Sequence, residues 1–154
     1  MKRLPCFLLL IIAFAASPAS ASTGHVIKVL PEFLDREGRT SLSPSLYERD
    51  AYQAQLRLHP ERRSGLRFFV EWKTKGALWQ PLKLRVELRG RSEGNLPQQL
   101  VLQQTLVNKS TPFTRWTGVT LTNEQYQQLG SVTAWRVTLW EGDRLLGTQQ
   151  SFLW

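Results

Sequence analysis

Two histidines, His25 and His59, are the whole supply of imidazole in this 154-residue chain. A hydrolase of the Ser-His-Asp type needs one of them beside a nucleophile, and no G-x-S-x-G turn occurs. His25 falls close behind an apolar leader, and His59 falls beside Pro60 at the end of a helical pattern. There His59 is expected to serve its own helix, as a donor or positive group near the last carbonyls. Two separated histidines without neighbouring thiolates make no zinc set. No D-x-[DN]-x-[DN]-G loop gathers acids for calcium. The expectation is no catalytic residue, no metal and no cofactor.

Carboxylates are the remaining catalytic candidates. Glu71 and Glu87 occupy polar positions of two alternating stretches, and on neighbouring strands they would approach each other as a glycosidase pair must. Arg67, Lys73, Lys83, Arg85 and Arg89 fall at the same polar positions. Cationic neighbours lower a carboxyl pKa, whereas a general acid needs it raised. Cross-strand ion pairs worth about 0.2–1 kcal/mol each are the simpler reading. Those five cations, together with Trp79 in the connection between the stretches, form the candidate binding surface. Trp116, Trp140 and Phe69 also fall where they can face outward, as rings on sugar- and protein-binding surfaces do. The plainer role for each such ring is covering a sheet edge or packing under a loop.

Two runs of strict alternation position these residues. Leu66, Phe68, Val70 and Trp72 alternate with Arg67, Phe69, Glu71 and Lys73, and Leu82 to Leu88 alternate with Lys83 to Arg89. Period-two alternation over eight residues predicts a half-buried strand in each case. The Thr74 to Pro81 connection, with Gly76, predicts antiparallel neighbours. Val26 to Leu30 reads as a first strand stopped by Pro31, and Phe33 to Ser43 as a loop. A helix is expected over about 45–58, with Tyr47, Ala51, Ala54 and Leu58 on its apolar face. Further strands are expected over Leu100 to Val107, Arg115 to Leu121, Val132 to Trp140 and Leu145 to Trp154. Thr122-Asn123-Glu124 caps a short helical turn closed by Gly130. The sum is mainly β: an antiparallel sandwich of six to seven strands with one helix inserted near the N-terminus. Immunoglobulin and fibronectin type III modules are similar at the level of architecture, though no residue signature ties the chain to either.

The leader sets the compartment. Lys2 and Arg3 precede an unbroken apolar run, Phe7 to Ala16; Ser17-Pro18 breaks it, and Ala19-Ser20-Ala21 has the form a signal peptidase cuts after. Ten apolar residues fall short of the roughly 20 that a membrane-crossing helix needs. The expected organisation is a cleaved signal peptide over 1–21 and a single sandwich domain over 22–154, with a loop-helix insertion at about 33–65. The destination is the periplasm or the exterior, with the protein soluble after cleavage. The only cysteine, Cys6, would leave with the leader, so the mature chain uses neither disulfides nor thiolate chemistry. The leader removes two basic residues and no acid, so a charge of +8 becomes +6. A basic exported chain attracts anionic lipid, acidic glycan and cell-wall polymer, although a basic surface also serves plain solubility. Nucleic acid is not an expected partner, since no base-reading motif is present. Asn108-Lys109-Ser110 matches a glycosylation acceptor.

These features lead to a non-enzymatic, exported β-sandwich that serves binding or interaction. Its partner is another extracytoplasmic protein, an anionic glycan or an envelope surface. Two alternatives follow it: a small outer-membrane β-barrel ending on an aromatic residue, and an extracytoplasmic enzyme of unrecognised type.

Overall fold

The computed structural model describes residues 22–107 and 113–154. The leader and the Asn108 acceptor lie outside them. β1 (Thr23–Asp35), β2 (Arg63–Lys75) and β5 (Arg115–Leu121) form a three-stranded antiparallel sheet in the order β1-β2-β5. β3 (Leu82–Arg91), β4 (Pro97–Leu106), β6 (Ser131–Glu141) and β7 (Arg144–Gln150) form a second antiparallel sheet in the order β4-β3-β6-β7. α1 (Leu46–Leu58) joins β1 to β2, and α2 (Asn123–Leu129) joins β5 to β6. Among the described residues no ladder closes on itself, so the chain forms a sandwich and not the barrel alternative.

The core lies between the inner faces. Phe68, Val70 and Trp72 of β2 meet Leu82, Leu84, Val86 and Leu88 of β3, with Leu121, Val137 and Leu139 completing the layer. Each such side chain stabilises the fold by about 1.5–3 kcal/mol on burial. Phe68 and the ring of Trp135 meet edge to face at 6.4 Å between centroids.

This arrangement corrects one sequence expectation with consequences for the site. β2 and β3 are not neighbours: β2 pairs with β1 and β5, while β3 pairs with β4 and β6. Both strands carry an apolar face on one side, and the 76–81 connection crosses between sheets so that those faces meet. The first strand is also longer than expected. Pro31 sits within β1 in register with Phe68, which an edge strand tolerates because no ladder bond is needed on its outer side.

α1 forms where expected but buries the opposite face. Tyr47 is 84% exposed and Leu58 72% exposed, whereas Gln53 and Leu56 are buried. The Gln53 amide behaves like a fragment of strand. Its Oε1 accepts from Phe33 N at 2.8 Å, while its Nε2 donates to the carbonyls of Phe33 (2.9 Å) and Thr40 (2.8 Å). Polar groups at an open sheet edge therefore select the buried helix face, against the apolar spacing. Tyr52 donates to Asp35 Oδ2 at 2.7 Å, and Arg49 lies 3.4 Å from the Glu32 carboxylate. Burial pushes the Asp35 carboxyl up, but the Tyr52 hydroxyl and the Arg39 backbone and guanidinium outweigh it and hold the group at about 2. His59 does not serve the helix end with its ring, which faces Glu61 at 3.1 Å. Arg63 does so instead, donating from Nε to Leu56 O and from Nη2 to Arg57 O, each at 2.5 Å.

α2 follows its sequence signals. Thr122 and Gln125 close a capping box, and Gly130 ends the helix at φ 69°. A Cβ at Gly130 would lie 2.1 Å from Arg91 O, so glycine is required there for space as well as for φ.

The sandwich is tied at one end by Glu141, which is 5% exposed. Its Oε1 accepts from Trp79 N at 2.7 Å and from Gln80 N at 3.4 Å, and its Oε2 accepts from the Ser22 hydroxyl and the Arg144 guanidinium. The Ser22 bond leads these partners in holding the carboxyl down at about 2, against burial.

Candidate anionic-ligand face

The outer face of the four-stranded sheet is built by register. On β3 the outward positions are Lys83, Arg85, Glu87 and Arg89, and β6 sets Trp140 beside Lys83, Thr138 beside Arg85 and Arg136 beside Glu87. Glu87 is the one acid in this group. Arg136 reaches it through Nε and Nη2 at 2.5 Å, and Arg85 Nη2 reaches it at 2.8 Å. The Arg136 hydrogen bond is the largest cause of a Glu87 pKa below the usual range. Glu87 is thus an ionised counter-charge that fixes two guanidinium groups, and the face keeps a positive excess.

The chain end joins this face. Trp154 places its ring against two cations, with the Arg89 guanidinium 4.0 Å and the Arg136 guanidinium 4.7 Å from its centroid. Trp140 forms a second aromatic element. Its indole N–H donates to Thr138 Oγ1 at 2.8 Å, which fixes the ring plane. The ring lines two open hollows. One of about 330 Å³ is bounded by Arg85, Glu87, Arg136 and Thr148, and the other of about 230 Å³ by Lys83, Arg85, Gln103 and Asp143. Arg85 borders both, and its buried Nε has no partner among the described residues. Guanidinium forks match carboxylate and sulfate oxygens, and a fixed indole offers a stacking plane for a sugar ring.

The sequence-predicted site residues divide between two surfaces. Lys83, Arg85 and Arg89 lie together on the face just described. Arg67 and Lys73 project from the outer side of β2, on the opposite face of the sandwich. Arg67 Nε donates there to Thr120 Oγ1 at 3.0 Å, its guanidinium lies 5.8 Å from the centre of the Phe69 ring, and Trp116 stands opposite Glu71. The same division separates Glu71 from Glu87, so the two carboxylates form no catalytic pair. Trp79 is 82% exposed and stands beside the β6–β7 turn, its backbone held by Glu141. Arg136 and Trp154 were not among the sequence candidates. Arg136 does alternate with the apolar positions Trp135 and Val137, which marks it as outward, but its pairing with Glu87 follows only from the β3–β6 register.

The molecule is thus an antiparallel β-sandwich with one basic, tryptophan-bordered sheet face. No protein-family model and no curated protein matches the chain. A solved structure from Akkermansia muciniphila is similar to it with a TM-score of 0.57 and 9% sequence identity, over 85% of this chain and 70% of that one. At this identity the likeness is one of fold.

Proposed function

We propose that the chain is an exported, non-enzymatic binding module whose four-stranded face takes an anionic glycan of the cell envelope or its surroundings. The observation that carries this reading is the grouping of Lys83, Arg85, Arg89 and Arg136, four cations against the two acids Glu87 and Asp143, bordered by Trp140 and Trp154. Export is supported by the leader pattern of the sequence. Among the described residues no helix is long and apolar enough to cross a membrane, and no three His, Cys, Asp or Glu residues gather to hold a metal. The non-enzymatic reading is supported by Glu87, whose ion pairs keep it charged and unsuited to act as an acid.

The test is retention on heparin, as a sulfated glycan probe, with salt as the variable. Replacing Lys83, Arg85, Arg89 and Arg136 together by glutamine should weaken binding by roughly fourfold or more, from four contacts of about 0.2–1 kcal/mol each. Replacing Arg67 and Lys73 should leave it near the parent value, and added salt should weaken binding to the parent chain. Equal losses from both variants, or binding indifferent to salt, would remove this assignment.

A further inference from the structure

A sandwich of two open sheets has four edge strands, and natural proteins blunt such edges. Three of the four are blunted here. β1 carries Lys28, Pro31 and Glu32 and has Gln53 bonded to its backbone; β5 and β7 are seven residues each and begin with Arg115 and Arg144. β4 is different. It pairs with β3 over ten residues, Pro97 to Leu106, without a bulge, and contains no charged residue. Among the described residues its other side has no strand partner.

The sequence of this edge is its own mirror. Gln98 to Gln104 reads Q-Q-L-V-L-Q-Q, symmetric about Val101. An antiparallel pair of identical strands related by a two-fold axis at Val101 sets each residue from Gln98 to Gln104 opposite its own kind. Val101 meets Val101, Leu100 meets Leu102, and glutamine meets glutamine on both sides. Side chains directly opposite in an antiparallel pair share a face. Leu100 and Leu102 would therefore extend the inner layer, while Val101, 49% exposed, would lie on the outer one.

We propose that β4 pairs with β4 of a second copy of this chain, centred on Val101, to give a two-fold dimer with one continuous eight-stranded sheet. A two-fold axis closes the assembly and consumes both free edges, so pairing stops at two copies. Charge permits the approach. The basic rows of the two β3 strands stand three strand spacings apart, roughly 14 Å, which exceeds the screening length of about 8 Å at physiological salt. Pro97 would face Thr105 of the partner at each end of the ladder, and its missing N–H ends the pairing there. The inference rests on the edge alone and holds whichever ligand the basic face takes.

Sedimentation of the full chain against concentration is the first measurement, with a doubling of mass expected. Val101→Lys sets two ammonium groups opposite each other and should hold the chain monomeric with its circular dichroism unchanged. Register is read by cross-linking in a Cys6→Ser background. Val101→Cys should oxidise to a covalent dimer. Thr105→Cys should not, because its two copies would lie eight residues apart along the ladder, roughly 27 Å. A parent chain monomeric at every soluble concentration, a Val101→Lys variant that still dimerises, or cross-linking as ready at 105 as at 101 would each overturn the proposal.

Discussion

Replacing Glu141 by glutamine changes one atom in the clamp that joins the chain's first described residues to the β6–β7 turn. Four donors converge on the carboxylate: the Ser22 hydroxyl, the Arg144 guanidinium and the N–H groups of Trp79 and Gln80. Whichever way the glutamine amide turns, its NH2 faces donors on one side. Hydrogen bonds to a charged group contribute about 1.5–3 kcal/mol each, and one side of the clamp is lost, so a destabilisation of about 3 kcal/mol follows. The titration gives a second route to this magnitude. Glu141 falls from 4.5 to about 2 in the folded chain, and at about 1.4 kcal/mol per pH unit this depression also corresponds to roughly 3 kcal/mol. Because the folded pKa is the lower one, that stability is present above pH 4.5 and disappears as the pH falls towards 2. Urea unfolding followed by tryptophan fluorescence, on parent and Glu141→Gln across this range, measures both effects. The gap between the two proteins should be about 3 kcal/mol at pH 7 and close as pH approaches 2. Asp35 titrates in the same region but is common to both proteins, so the gap isolates Glu141. A gap below about 1 kcal/mol at pH 7, or one that does not change with pH, would refute the reasoning.

Two further substitutions test the fold that carries the face. Gly130→Ala meets both a positive φ and the Arg91 carbonyl, whereas Gly94→Ala meets a similar φ of 77° with nothing within 4 Å. Thermal unfolding should show a loss of about 1–3 kcal/mol at Gly94 from the backbone alone and a larger loss at Gly130; equal losses would deny the steric part. Gln53→Leu keeps the side-chain volume but strips the partners from Phe33 N–H and O and from Thr40 O. It should cost about 2 kcal/mol and speed proteolysis between residues 36 and 60, and an unchanged cleavage rate would mean that Gln53 does not hold the helix.

The strands were legible where alternation is strict. Residues 66–73 and 82–89 write their inner and outer faces into a period of two, and burial follows it position by position. Thr122, Gln125 and Gly130 likewise carry a capping signal that acts locally. Pairing was not legible, because the alternation of β2 and β3 is equally satisfied side by side in one sheet or face to face across two. That ambiguity placed Arg67 and Lys73 with Lys83, Arg85 and Arg89, although the core separates the two groups. α1 misled for another reason. Its buried side is chosen by the Gln53 amide meeting an open strand edge, and no apolar periodicity records such a match. Trp154 joined the site unseen because its partners, Arg89 and Arg136, lie on two different strands.

The Glu141 clamp also sets an order of events along a chain made from its N-terminus. Ser22 and Glu141 are 119 residues apart, so nearly the whole chain must be synthesised before the start of β1 meets the carboxylate. Gly24 is likewise packed against Leu146 of β7. Until then β1 can pair with β2 but lacks its anchor on the other sheet. Contacts of such long range form late and slow the search, and they lengthen the time for which an unpaired edge is open to other chains. The fold is completed last at the place where the described chain begins.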